Sequence, residues 1–354
     1  VGADRGKESN KRPDKHSSGD GAAGMIKIYS LYKRSLVTDI TNYCKTIVWS
    51  GDKEQVARKL EITIVYSIFD KNQLNTQIGP GSLIWMMDGE EELFRGYVFD
   101  RDIESSAQEL TFTAYDYLIY FTKSKGSYNF TNTTPEDITK TVCGDAGIQI
   151  ENIGTSGWKI NLLAKQKTFH EVIMMAYTKV WHLNAGKYNF MPFMHRDKFS
   201  IMNMGVAVEN YTIRPDLNIS NTSYSDTISN MVNKVNVYKS DGTYVGTAWN
   251  RDWINMYGVL QDVYEAEEGK DAMSVANSML HGVDETVKVS VLGNTKCRTG
   301  WGVKVKIPYI YDLLDTTMCI NTDTHTWEVA TGKYTMDLDL NFETKMKLIE
   351  EDAT

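Results

Sequence analysis

From Ile26 to Thr113 apolar and polar residues alternate in short runs bounded by turn residues, which is the period of half-buried strands. Leu60 to Tyr66 and Glu109 to Ala114 show it most clearly. Gly79-Pro80-Gly81 predicts a turn, with two residues free to take positive φ, and it opens a strand from Leu83 to Met87. A long hairpin is expected next. Its first arm runs from Glu92 to Asp100, and Glu104 to Gln108 supply the polar turn before its second arm.

The pattern changes near Tyr115. In Thr133-Thr134-Pro135-Glu136-Asp137 a Thr N-cap precedes Pro at the first helical position and acids in the first turn, so a helix starts there and is expected to end near Gly144. Thr168 to Trp181 repeats the signal, with a Thr cap, Glu171 three residues on and apolar residues at helical spacing. Tyr188 to Met191 and Lys198 to Met202 read as short strands. From Val208 the strand period returns, including Lys234 to Tyr238 with Asp241-Gly242 as a hairpin turn. One helix, Lys270 to Leu280, interrupts it before the stop at His281-Gly282. The expected fold class is α+β, mainly β. The expected domains are a first β-barrel domain at 25–122, an α+β middle domain at 123–207 and a second β-barrel domain at 208–350.

The two β-rich parts end in the same order of events. In the first, the strand led by Gly81 is followed by a strand, a polar turn and the strand ending Leu110 to Ala114. In the second, the strand led by Gly302 is followed by Met318 to Val329, Thr331-Gly332 and Tyr334 to Phe342. Such self-similarity is the mark of an internal repeat. Pattern alone does not separate a duplication from two unrelated antiparallel barrels.

Composition narrows the function. Residues 1–24, Val1 to Gly24, are rich in Gly, Ser, Lys and Asp, carry no apolar periodicity and run into Met25. They are expected to be a disordered leader outside the fold. The whole chain has a formal charge of −8, and without that stretch it has 33 basic against 42 acidic residues, or −9. An acidic chain gains little from counterion release at phosphates, so non-specific nucleic-acid binding over a broad surface is not expected, a local basic patch remaining the alternative, and no specific nucleic-acid binding is expected. The longest apolar blocks, such as Tyr117 to Phe121, are of strand length, and no membrane span is expected. Cys44, Cys143, Cys297 and Cys319 form no CxxC pair and no secretory signal follows Met25, so free thiols in a reducing cytoplasm are expected.

Candidate chemistry is sparse. His170-Glu171 begins as a zinc-hydrolase HExxH motif would, but Met174 stands where the second ligand belongs, and His182 is off the helical spacing. His325 and Cys319 would share one side of a straight strand, yet two ligands do not make a metal site. Gly293-Asn294-Thr295-Lys296 lacks P-loop spacing. Glu265-Ala266-Glu267-Glu268 reads as solvated charge, with calcium binding as the outside alternative. Trp49, Trp85, Trp249 and Trp253 are either interface anchors or core. No catalytic, cofactor-binding or metal residue is expected, no cofactor, and no enzyme activity.

The stretch from Ala114 to Phe130, followed by Thr134-Pro135-Glu136-Asp137-Ile138, resembles the hub protein of contractile tails, in particular the form found in PBSX-like defective prophages of Gram-positive bacteria. The segment from Thr322 to Phe342, with His325 before a Gly turn and a closing strand, is similar to the end of the wider late-control D and T4-type hub family. The resemblance covers Met25 to Glu350 and is specific at those two stretches. It implies two related antiparallel β-barrel domains joined by a small α+β domain, and a homotrimer. Six barrels around one axis would seat a sixfold tail tube on one face and a trimeric spike on the other. Tail tube or tube-initiator protein, spike, and tape-measure or other baseplate proteins are the implied partners. An acidic channel would let DNA pass without sticking. The implied location is the virion baseplate of a phage-like tail, made in the bacterial cytoplasm without a signal peptide. A tail-associated peptidoglycan hydrolase and a receptor-binding tail protein are the alternatives. An infectious phage, a defective prophage and a bacteriocin particle would all use the same hub.

Overall fold

A computed structural model describes residues 26–33, 37–67, 77–184, 186–267 and 271–351. The leader and Met25 lie outside the described residues. The first third holds β1 (Ile26–Leu31), β2 (Val37–Asp39), β3 (Cys44–Asp52), β4 (Lys59–Val65), β5 (Leu83–Asp88), β6 (Glu91–Glu104) and β7 (Glu109–Tyr115). Alternation puts Leu60, Ile62 and Ile64 of β4 and Leu110, Phe112 and Ala114 of β7 into one buried core with Trp49. Each large apolar side chain there stabilises by roughly 1.5–3 kcal/mol.

The middle third holds α1 (Leu118–Lys123), β8 (Lys125–Thr133), α2 (Pro135–Ala146), β9 (Gln149–Ile153), β10 (Ile160–Thr168), α3 (Phe169–Leu183), β11 (Phe190–His195) and β12 (Lys198–Asn203). Tyr117 to Phe121, expected as a strand-sized block, is mostly the helix α1, because the Asp116 carboxylate accepts from the Leu118 N–H at 3.0 Å and turns the chain. Helix α2 continues past Gly144 to Ala146, since the left-handed Gly147 is what stops it. Helix α3 opens with a full capping box between Thr168 and Glu171. It is buried nearly all round from Val172 to Thr178, and Val172 to Tyr177 with Val180 fill a core that also takes Ala57, Cys319 and Met346 from the flanking parts.

The last third holds β13 (Ala207–Ile213), β14 (Ile219–Thr227), β15 (Lys234–Tyr238), β16 (Tyr244–Trp249), α4 (Arg251–Tyr257), β17 (Gln261–Glu265), α5 (Ala272–Ser278), β18 (Asp284–Leu292), β19 (Gly302–Val305), β20 (Thr316–Glu328) and β21 (Lys333–Asn341). The helix expected over Lys270 to Leu280 is shorter, because the Asp271 side chain caps it by accepting from Met273 and Ser274; Lys270 itself lies outside the described residues. Helix α4 carries no clear apolar stripe and has no sequence-based counterpart. Strands β15, β16 and β17 form a separate small sheet between β14 and β18.

The fold is mainly β, of α+β class. The strands of the first third and those of the last third other than β15, β16 and β17 belong to one 13-stranded sheet, because β20 pairs antiparallel with β3. The expected pair of closed barrels is met only in part: among the described residues no ladder closes either half, and β13 joins β19 in parallel.

The repeat, by contrast, extends to the hydrogen bonds. The order β3-β4-β7-β6-β5-β1 in the first third recurs as β14-β18-β21-β20-β19-β13 in the last. Bulges fall at matching places: between Val98 and Asp100 of β6 and between Ile320 and Thr322 of β20, and again between Cys44 and Thr46 of β3 and between Ile219 and Asn221 of β14. A bulge is a specific local feature, so two coincident ones argue against unrelated sheets. Gly81 at φ +85 and Gly300 at φ +87 occupy equivalent turns, donating to Val98 O at 2.8 Å and Ile320 O at 2.9 Å. Only glycine takes that backbone without strain.

Candidate functional site

The pairing of β3 with β20 is the joint of the molecule, and it carries a buried polar cluster. Asp323, two residues beyond the β20 bulge, points inward and is 0% exposed. Both terminal nitrogens of Arg58, the residue before β4, grip its carboxylate, Nη1 at 2.9 Å from Oδ1. Thr299 donates to Oδ1 through its backbone N–H at 2.6 Å and its hydroxyl at 2.7 Å. Burial by itself would raise the Asp323 carboxyl, but the Arg58 charge and hydrogen bonds outweigh it and hold the group well below the usual carboxylate range.

His325 lies beside it, also fully buried. Its Nε2 is 3.2 Å from Asp323 Oδ2 and 3.0 Å from Cys297 O, two acceptors, so Nε2 carries a proton. Nδ1 then accepts from the Tyr334 hydroxyl at 2.8 Å. Trp49 closes the cluster from β3. Its ring is 5.3 Å from His325, and the Arg58 guanidinium stands 4.1 Å above it. The Asp323 carboxylate and both ring nitrogens of His325 find partners within the set, while Trp49 Nε1 and Arg58 Nε are buried without a hydrogen-bond partner among the described residues. The cluster ties β3, β4 and β20 together.

Behind the joint, β3, α3, β11, β12 and the chain before β19 line a partly open cavity of about 50 Å³. Asp116, His170, Met174, Met202 and Arg298 line it. Burial pushes the Asp116 carboxyl up to about 7 against the N–H groups of Arg58 and Leu118. Burial, helped by the Lys347 charge, pushes His170 down to about 4. Met174 is buried in the core rather than replaced by any ligand, and Glu171 is spent on the capping box.

The other residues singled out in sequence are dispersed. His182 pairs with Glu350 at 2.8 Å. Cys319 faces the middle core while His325 faces the joint, because the β20 bulge between them breaks the alternation. All four cysteines are free and buried. Gly293 to Lys296 is a turn in which Asn294 accepts from the Lys296 N–H. Glu265 ends β17, and Glu268 lies outside the described residues. Among the described residues no group of three or more His, Cys, Asp or Glu is placed to hold a metal ion. Of the tryptophans, Trp49 is core; Trp85 and Trp253 are half-buried, Trp85 stacked on Tyr29 at 5.5 Å; Trp249 is 52% exposed with Arg251 over its ring.

Sequence reasoning did not single out Arg58, Asp323 or Thr299. One signal was present: Asp323 and His325 sit at positions of β20 where the alternation asks for apolar side chains.

Residues 47–341 match the family described as YQBQ-like. The chain is 28% identical over 324 residues to the YqbQ protein of Bacillus subtilis (strain 168), covering 89% of this chain and 96% of that one. It is 26% identical over 308 residues to the phage-like element PBSX protein XkdQ of the same organism, covering 84% and 91%. In structure it is similar to the 43 kDa tail protein of prophage MuSo2 from Shewanella oneidensis, with a TM-score of 0.66 at 15% identity over 89% of this chain and 98% of that one.

Proposed function

The chain belongs to the YQBQ-like family, and from that premise we propose that it is a structural hub in the baseplate of a phage-like contractile tail. In this reading three copies form a ring that seats a sixfold tail tube on one face and a trimeric spike on the other. Two relatives carry phage names, the PBSX protein and the MuSo2 tail protein. The observation that carries the reading is the internal repeat: two β units of one strand order, joined edge to edge in one chain. A chain holding two equivalent units turns threefold symmetry into six similar seats, which is what a threefold-to-sixfold adaptor requires.

The units serve as barrel-like seats, divided from the α+β part near residues 122 and 207. The hub works by shape and has no catalytic step. No helix among the described residues is long and apolar enough to cross a membrane. The buried cluster at the joint fits this role, since force passing down a tail would load the seam between the two units first.

The test is mass and location. Light scattering of the full chain at high concentration is expected to show a threefold mass, and electron microscopy of assembled tails three copies around the tube end. A chain that is monomeric at every concentration and missing from assembled tails would overturn the proposal. Clearing of a cell-wall suspension by the purified chain would replace it with a hydrolase.

A further inference from the structure

Strand β20 pairs along one edge with β21, and its other edge is shared. Residues 316–319 meet β19 and residues 322–328 meet β3. Its counterpart β6 pairs along one edge with β7, but on the other edge β5 reaches only to Tyr97. Among the described residues no strand pairs with that edge over residues 100–104. The counterpart of β3 is β14, which pairs with β18 and has no strand on its outer edge among the described residues.

Burial follows the same division. Asp323, His325 and Trp327 of β20, and Ile47, Trp49 and Gly51 of β3, are buried where the two strands meet. At the matching places Arg101 and Ile103 of β6 are exposed, as is Asp226 of β14, and Tyr224 is half-buried. Both sides of the joint thus occur a second time in the molecule, each without its partner.

We propose that β14 of one copy of this chain adds to β6 of a neighbouring copy, antiparallel, in the register that β3 keeps on β20. Carried through the matched bulges, the internal pair Asp323 and Gly51 becomes Arg101 opposite Asp226 of the neighbouring copy. His325 and Trp49 become Ile103 opposite Tyr224, and Thr324 and Ser50 become Asp102 opposite Ser225. The first of these places opposite charges face to face, and the second covers Ile103, which is 40% exposed. The charges Asp100, Arg101, Asp102 and Glu104 on this edge discourage indiscriminate strand addition, so a partner with a matching Asp is selected. The contact is head-to-tail, and it forms a closed ring when the rotation per copy divides a full turn. The contact stands on the registers alone; only the count of three rests on the hub reading.

The experiment is a cross-strand disulfide in the full chain. Asp102→Cys with Ser225→Cys probes the contact between copies. Ser50→Cys with Thr324→Cys, the equivalent pair inside one chain, calibrates the geometry. Under mild oxidation the internal pair is expected to lose two free thiols without change in mass class. The Asp102→Cys/Ser225→Cys chain is expected to give covalent two-chain and three-chain species. Each single variant stays a single chain, and an equal mixture of the two singles stops at two chains. The proposal is overturned if the internal pair closes and the intermolecular pair does not. Arg101→Glu provides a second measurement that keeps all native cysteines: association weakens at least tenfold, and Asp226→Arg added to it restores the assembly, whereas no change on reversal also overturns the contact. A trimer that forms without the cross-link removes the edge pairing and leaves the hub standing. Cross-linked chains that grow open-ended beyond three keep the edge pairing and remove the ring.

Discussion

Arg58 and Asp323 are 265 residues apart in sequence and meet through two hydrogen bonds at the seam of the two β units. The pair is buried, with the Arg58 side chain 15% and the Asp323 side chain 0% exposed. Removing one partner strands a charge in a dry interior, which costs about 3–5 kcal/mol. Arg58→Met is therefore expected to lower the urea midpoint strongly. Arg58→Met combined with Asp323→Leu is expected to recover part of that loss, because no unpaired charge remains. If the double variant is as unstable as the sum of the single ones, the two residues are not coupled.

His170 and Asp116 share one cavity and shift in opposite directions, so their effects on stability oppose each other. His170 falls to about 4 from 6.5, so the folded state binds fewer protons than the unfolded chain between those values and loses stability as pH drops through them. Asp116 rises to about 7 from 3.8, so over that range the folded state binds more protons and gains stability as pH drops. His170→Gln is expected to gain on wild type as pH falls from 6.5 to 4, by an amount on the order of 2–3 kcal/mol at the acid end. Asp116→Asn is expected to lose ground over the same range. Denaturant midpoints at four pH values decide it, and parallel curves for wild type and both variants would refute the two shifts.

Helix α2 offers a gain. Gly144 is inside it, and a Cβ there meets nothing within 4 Å. Gly144→Ala is expected to stabilise by about 0.5–1 kcal/mol, since alanine loses less backbone entropy in a helix. At Gly96 the same change would place a Cβ 2.1 Å from the Tyr115 carbonyl oxygen, and backbone cannot step aside cheaply. Gly96→Ala is expected to yield little folded protein. Thermal midpoints rank the two, and equal effects would mean that the close approach of β6 to Tyr115 is wrong.

At the start of α3, Thr168→Ala removes a side chain that accepts the Glu171 N–H at 3.2 Å and leaves the Glu171 carboxylate with one fewer donor. A loss of about 1 kcal/mol is expected, with the middle part of the chain affected first. Hydrogen exchange of the first turn of α3 measures it, and unchanged protection there would show that tertiary packing alone holds the helix.

The helices and strands that were legible carry their signal in residues close in the chain. β4 and β7 alternate cleanly because one side of the sheet is core, and α2 and α3 announce themselves by caps at Thr134 and Thr168. Helix α1 was not legible, as its apolar block is too short to show a period and its start depends on Asp116 turning back on the chain. The joint was not legible either. Asp323 and His325 stand on the same face of β20 as Trp327, where apolar residues are expected, but nothing near them in sequence names Arg58 and β3 as their partners.

The sequence by itself determined the mainly β class, the capped helices of the middle third and the outline of a repeat, because these depend on contacts between residues close in the chain. Tertiary structure decided the rest. It showed that the repeat keeps one strand order and two bulges, that its two units share a sheet through β3 and β20, and that Arg58, Asp323 and His325 meet at the seam. The reason is register. A strand's own residues fix which side chains point inward, but which distant strand lies beside it is set by hydrogen bonds between main chains, and these carry no residue-type signature.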